Sequence, residues 1–151
     1  MKKRLAYVFF VLLLSACSIA SLTGDYGHQE DAPETLVLRV MVHDVQYTEY
    51  APKYDCPAES MCINLYSWFK YRASVLKVIR GHWKGWVISF ANLQHAYYAK
   101  RWDQEEVYVV LKRVGPQFEE KLGVQYTAEQ FLFAERASDQ EKIKALLVGA
   151  Q

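Results

Sequence analysis

Three cysteines, four histidines and several tryptophans set beside basic residues are the side chains of this 151-residue chain whose types and spacings can carry chemistry. Cys56 and Cys62 stand in Asp-Cys-Pro-Ala-Glu-Ser-Met-Cys, with five residues between them. A redox-active pair has the spacing Cys-x-x-Cys, which this is not. A zinc site needs about four ligands, and His28, His43, His82 and His95 are scattered singly. The remaining reading is a structural disulfide, the state that paired cysteines reach in an oxidising compartment. Closing so short a loop would stabilise the fold by about 2–3 kcal/mol through restriction of the unfolded chain. His43-Asp44 has the composition of a base and its orienter, but adjacent strand residues point to opposite faces and do not share a site. Neither a Gly-x-Ser-x-Gly elbow, a phosphate-cradling glycine loop nor His-Glu-x-x-His occurs. The chain is therefore expected to be non-enzymatic, without catalytic residues, metal or cofactor.

Recognition chemistry is better represented. The 4 Trp, 11 Tyr and 7 Phe make 15% of the chain. Many lie against basic groups: Trp68 beside Lys70, His82-Trp83-Lys84-Gly85-Trp86, and His95 through Arg101-Trp102. Tryptophan and tyrosine in such loops bury much area at low entropy cost, which suits a contact surface. Trp83, Lys84, Arg101 and Trp102 are the candidate partner-binding residues. A rival reading has the aromatics closing the ends of a small barrel, with Trp86 and Tyr98 in its core.

The third cysteine, Cys17, belongs to a different chemistry. Lys2-Lys3-Arg4 precedes an almost wholly apolar run from Leu5 to Leu14, followed by small residues, the order of a secretory signal. That run is too short to span a bilayer, which takes roughly 20 apolar residues. Leu14-Ser15-Ala16-Cys17 resembles the lipobox of bacterial lipoproteins: a leucine, two small residues and the cysteine that becomes residue one of the mature chain. The resemblance implies that Cys17 carries lipid on its sulfur and its amino group. Ser18 follows where enterobacterial lipoproteins kept in the inner membrane have Asp, which implies the outer membrane. Cleavage after Ala20, giving a soluble periplasmic or secreted product, is the alternative.

Loss of residues 1–16 leaves 135 residues, one domain's worth. Without Lys2, Lys3 and Arg4 the 18 Lys+Arg fall to 15 against 17 Asp+Glu, and the formal charge moves from +1 to −2. A nucleic-acid binder needs a basic excess instead. Residues 17–33 are rich in Gly, Ser, Thr and acids and read as a lipid-anchored tether, with a root-mean-square reach of about 20–25 Å.

The elements that must position the loops are strands. From Glu34, Leu36, Leu38, Val40 and Val42 alternate with less apolar neighbours through Val45. Phe69, Tyr71, Ala73 and Val75 repeat the pattern, and then Lys77 falls where an apolar residue is due. A β-bulge near Val75-Leu76 would restore both faces. Trp86, Ile88 and Phe90 share one face of a third strand; residues 107–111 form a fourth, and Phe131 and Phe133 mark a short fifth. A weak helix is expected over 117–121, before Gly123. Ser138-Asp139-Gln140-Glu141 has the form of a capping box, and Ile143, Leu146 and Leu147 form the apolar stripe of a terminal helix. Residues 34–151 thus predict a mainly β domain, a small antiparallel OB-like barrel with a short C-terminal helix. The stretch from Tyr71 to Gly81, with the strand after it, resembles the OB-type barrel of netrin-like domains and tissue inhibitors of metalloproteinases. The resemblance implies the fold alone. Those inhibitors use a free N-terminal cysteine amine and many disulfides, whereas here Cys17 would be acylated and one internal pair remains.

The expected function is that of a lipid-anchored envelope protein facing the periplasm, held to the membrane by its N-terminal lipid and binding an envelope protein partner, with no nucleic acid. A periplasmic enzyme inhibitor or immunity-type protein is the alternative. Trp83-Lys84-Gly85 resembles, one residue short, the Trp-x-Lys-Gly stretch of periplasmic lysozyme inhibitors.

Overall fold

The computed structural model describes residues 31–52, 65–95 and 104–149. Five strands form one closed barrel: β1 (Thr35–Tyr47), β2 (Tyr66–Arg80), β3 (Val87–His95), β4 (Glu106–Arg113) and β5 (Tyr126–Phe133). Around the barrel the order is β1-β2-β3-β5-β4, with β4 closing onto β1. The pairing is antiparallel except between β3 and β5, which run parallel through Ala91 and Thr127. The expected antiparallel OB-like barrel is thus present, with one parallel pairing that makes the sheet mixed. The chain crosses over between β3 and β4, and the last strand inserts between them, a topology invisible to strand-by-strand periodicity. The architecture is OB-like and mainly β, with a short C-terminal helix.

Alternation explains which side chains meet inside. Leu36, Leu38, Val40 and Val42 of β1, Phe69, Tyr71 and Ala73 of β2, and Ile88 and Phe90 of β3 are buried in one cluster with Val107, Val109 and Leu111 of β4. Tyr71 and Phe90 stack with ring centroids 5.4 Å apart. A closed barrel of tilted strands needs local bends, and β1 and β2 supply them. Val40 pairs with Val75 while Arg39 pairs with Lys77, so Leu76 is the extra residue of a bulge. This is the position where Lys77 broke the alternation.

Among the described residues, two helices flank the barrel. α1 (Pro116–Leu122) has proline at its start, where no N–H is needed, and ends at Gly123 with φ 63°, whose N–H reaches the Glu119 carbonyl. α2 (Gln140–Val148) follows a 3-10 turn, Ala137–Asp139. The capping box does not form. Asp139, not Ser138, precedes the helix, and no side chain caps it. Asp139 is buried and accepts the Phe133 backbone N–H through Oδ2 (3.0 Å), so its carboxylate ties down the end of β5. Of the apolar stripe, Ile143 is buried, while Leu147 is 39% exposed.

Ala32, ahead of β1, is buried. Its carbonyl accepts from Arg113 Nη1 (2.9 Å), and the Pro33 carbonyl accepts from the Tyr126 hydroxyl (2.8 Å). Burial pushes Tyr126 up to about 12, with smaller opposing effects from Arg113 and Glu34, so this hydroxyl stays a donor at neutral pH.

Candidate binding surface

The inside of the barrel is filled, so contact chemistry must lie on its outer face or at its ends. Residues directly opposite on neighbouring strands share a face. Asp44 lies opposite Arg72, and Arg72 opposite Ser89; Gln46 lies opposite Lys70, and Lys70 opposite Ala91. These two rows cross β1, β2 and β3 on the outer face, opposite to inward-pointing Phe69, Tyr71 and Ala73. They line a cleft of about 240 Å³ formed by Asp44, Gln46, Lys70, Arg72, Ser89 and Gly123.

Its walls are fixed by local contacts. Gln46 Nε2 donates to Asp44 Oδ2 (2.7 Å), and Lys70 Nζ donates to the Gly123 carbonyl (3.1 Å) at the end of α1. On one side a second apolar cluster joins Ala91, Leu122 and Val124 with Tyr50 and Trp68. Phe118 of α1 meets Tyr50 and Trp68 edge-on, at 6.1 and 6.3 Å. The α1 segment is thereby clamped over β2 and β3. The cleft presents a guanidinium, an ammonium, a carboxylate, an amide and a hydroxyl within one recess. That set can pair with both donors and acceptors of a partner.

His43 and Asp44 are not a working pair. His43 is the extra residue of another irregularity in the β1–β2 ladder, between Val42 and Asp44. Its Nε2 lies 2.6 Å from Ser74 Oγ, while Asp44 is engaged by Gln46.

The second exposed feature is the turn between β2 and β3. Here the structure redistributes the tryptophans. Trp83, expected as a binding residue, is 7% exposed and packs edge-on against Tyr126 at 6.2 Å. It belongs to the core, as an inward wedge closing this end of the barrel. Trp86, the one assigned to the core by the barrel-closing reading, is 86% exposed. Extrapolating the alternation of Ile88 and Phe90 back to Trp86 puts it inside, but β3 begins only at Val87. Lys84 is exposed, as expected. Arg101, Trp102 and Tyr98, like Cys17, Cys56 and Cys62, lie outside the described residues.

Asp44, Gln46, Lys70, Arg72 and Ser89 escaped the reading by motif, yet a signal for them was present. Residues 60–102 contain no Asp or Glu, but hold Lys70, Arg72, Lys77, Arg80, Lys84, Lys100 and Arg101. A near-neutral total hid a strongly cationic β2–β3 hairpin set against a more acidic remainder. Comparison with protein-family models, with curated proteins and with solved structures gives no match for this chain, so the functional reading rests on its own residues.

Proposed function

We propose that this protein is a non-enzymatic, lipid-anchored component of the bacterial envelope that captures a protein partner on the outer face of β1–β3. The single observation that carries the binding reading is the polar cleft where Asp44 and Gln46 of β1 meet Lys70, Arg72 and Ser89 of the carboxylate-free β2–β3 hairpin. OB-type barrels use the face of their second and third strands, between the first and fourth connecting loops, for their ligands. The cleft occupies that part of this barrel, and its cations favour an acidic segment on the partner. Lipidation at Cys17 and a Cys56–Cys62 bond complete the reading and are supported by the sequence motif and spacing.

Two measurements test it. Intact-mass analysis of protein purified from membranes, without reductant, is expected to show an acylated N-terminal Cys17 and two fewer hydrogens from the closed pair. An unmodified Cys17, or free thiols at both Cys56 and Cys62, would contradict the envelope assignment. Separately, pull-down from detergent-solubilised envelopes is expected to recover a partner with the wild-type chain. Recovery should be lost in Lys70→Glu/Arg72→Glu, because truncating or reversing buried interfacial charge costs about 2 kcal/mol or more. Undiminished capture by the double variant would move the site elsewhere. Recovery of a single hydrolase, inhibited on binding, would identify the partner class as an enzyme.

A further inference from the structure

The turn between β2 and β3 is built differently from the cleft, and its Trp86 precedes the cleft residue Ser89 by three positions. Trp86 is 86% and Leu76 47% exposed, and Lys77, His82 and Lys84 are exposed around them. The Trp86 carbonyl accepts from Val75 N–H (2.8 Å), so the backbone under the bare indole is held in the hairpin ladder. Leu76 faces solvent because the bulge makes it the supernumerary residue of β2. Two large apolar side chains and two lysines are thus displayed from a fixed hairpin rather than a loose loop.

The way the chain enters the barrel says what this turn meets. Gly81 lies against Thr35: a Cβ on it would stand 2.9 Å from the Thr35 carbonyl. Arg80 pairs with Val37. The first residues of β1 and the β2–β3 turn therefore share one end of the barrel. Trp86 stands beside Val75, which pairs with Val40, and the cleft residues Arg72 and Asp44 lie three and four positions from these along β2 and β1, about 10–14 Å of strand. If Cys17 is the anchor, only sixteen residues, 18–33, join it to Glu34, so the anchor draws the end of the barrel that holds Thr35 and Gly81 toward the bilayer.

We propose that the β2–β3 turn rests on an anionic lipid surface, with the Trp86 indole in the interfacial layer and Lys77 and Lys84 against headgroup phosphates. This rests on the lipid-anchor reading of the preceding subsection. Indole rings favour the headgroup level because one edge is polar and the body apolar. Lysines beside an anionic surface add attraction that salt removes. Asp31 and Glu34 at the start of β1 oppose that attraction at the same end, so the indole carries the contact and the lysines bias it. The tether keeps the turn near the surface at high effective concentration, so a contact too weak to hold a free protein still orients an anchored one.

The test uses the full chain, processed in cells and reconstituted into phosphatidylethanolamine–phosphatidylglycerol vesicles carrying brominated acyl chains. Trp86→Phe is the key variant, since an 86% exposed side chain leaves the fold intact when changed. Wild-type tryptophan emission is expected to be quenched by the brominated lipid, and Trp86→Phe to lose most of that quenching. Replacing phosphatidylglycerol by phosphatidylcholine, or substituting Lys77→Gln and Lys84→Gln together, should reduce it. Equal fractional quenching of wild type and Trp86→Phe overturns the proposal. So does loss of partner capture in Trp86→Phe without any lipid quenching, which would make the turn a protein contact. Metabolic palmitate labelling reads the anchor separately. An unlabelled chain refutes the lipid-anchor reading, whereas a labelled chain whose quenching does not depend on Trp86 refutes the placement of the turn alone.

Discussion

At the scale of single residues, the tryptophans show how little residue type says about role until the backbone is known. Trp83 and Trp86 lie three positions apart in one short turn, yet one is core and the other almost bare. Gly85 packs on the buried ring: a Cβ there would stand 3.0 Å from Trp83 Nε1, so a larger residue would press on the indole. That Nε1 is buried without a hydrogen-bond partner among the described residues. The ring, not its N–H, is therefore what stabilises the end of the barrel. Trp83→Ala should cost about 3–5 kcal/mol, the range for emptying a buried aromatic site. Trp83→Phe should recover much of that loss, because the lost donor had no partner and the phenyl ring still fills part of the space. Trp86→Ala should stay within about 0.5 kcal/mol of wild type. Denaturant unfolding of the three variants checks the order. A Trp86→Ala as destabilised as Trp83→Ala would reverse the assignment of core and surface.

At the scale of elements, what was readable depended on whether the apolar pattern was continuous. β1 and the first half of β2 alternate cleanly, and the slip at Lys77 located the bulge. β5 was legible only at Phe131 and Phe133, because Thr127, Ala128, Glu129 and Gln130 interrupt its apolar face; the strand begins at Tyr126. β3 was legible to Phe90 but runs on to His95 through Asn92 and Gln94, which lack apolar side chains to mark it. The capping box misled for a different reason. Asp139 accepts the Phe133 N–H instead of capping the helix, and a 3-10 turn leads into the helix. The cleft was illegible by motif because its residues come from three strands and meet only through register. The β2–β3 turn depends on Gly81, whose φ is 88°. An added Cβ would stand 2.8 Å from Leu36 Cδ2 and 2.9 Å from the Thr35 carbonyl. Gly81→Ala thus combines a left-handed backbone, costing about 1–2 kcal/mol, with overpacking against β1. A thermal melt should show clear destabilisation, together with weaker hydrogen-exchange protection of β1 at Leu36 and Val37. Wild-type stability would mean that the turn can take another path.

At the scale of the molecule, closure of the barrel and segregation of charge act together. The seam that closes the sheet is β1 against β4, where seven pairs run unbroken from Thr35–Lys112 to Met41–Glu106. At its far end Arg39 spans the seam with a two-pronged contact, Nε to Glu106 Oε1 and Nη2 to Oε2, both 2.8 Å. The hydrogen bonds from Arg39 come first, burial opposes them, and the charge of Arg39 adds a lesser lowering. The net effect holds the Glu106 carboxyl below the usual carboxylate range. The sign of the pH dependence follows. A carboxyl whose folded pKa is depressed stabilises the fold above its unfolded value, about 4.3. It loses that contribution as the pH falls through the folded value. Glu106→Gln removes the titrating group, so the variant should melt below wild type at neutral pH, with the gap closing on acidification. Both side chains are partly exposed, 41% and 26%, so the gap should be small and should shrink with added salt. Melting temperatures of the two proteins across the acid range, at low and high salt, decide the matter. A gap that persists unchanged below the carboxylate range would mean that Glu106 holds the seam by packing, and that closure of the barrel owes nothing to this charge pair.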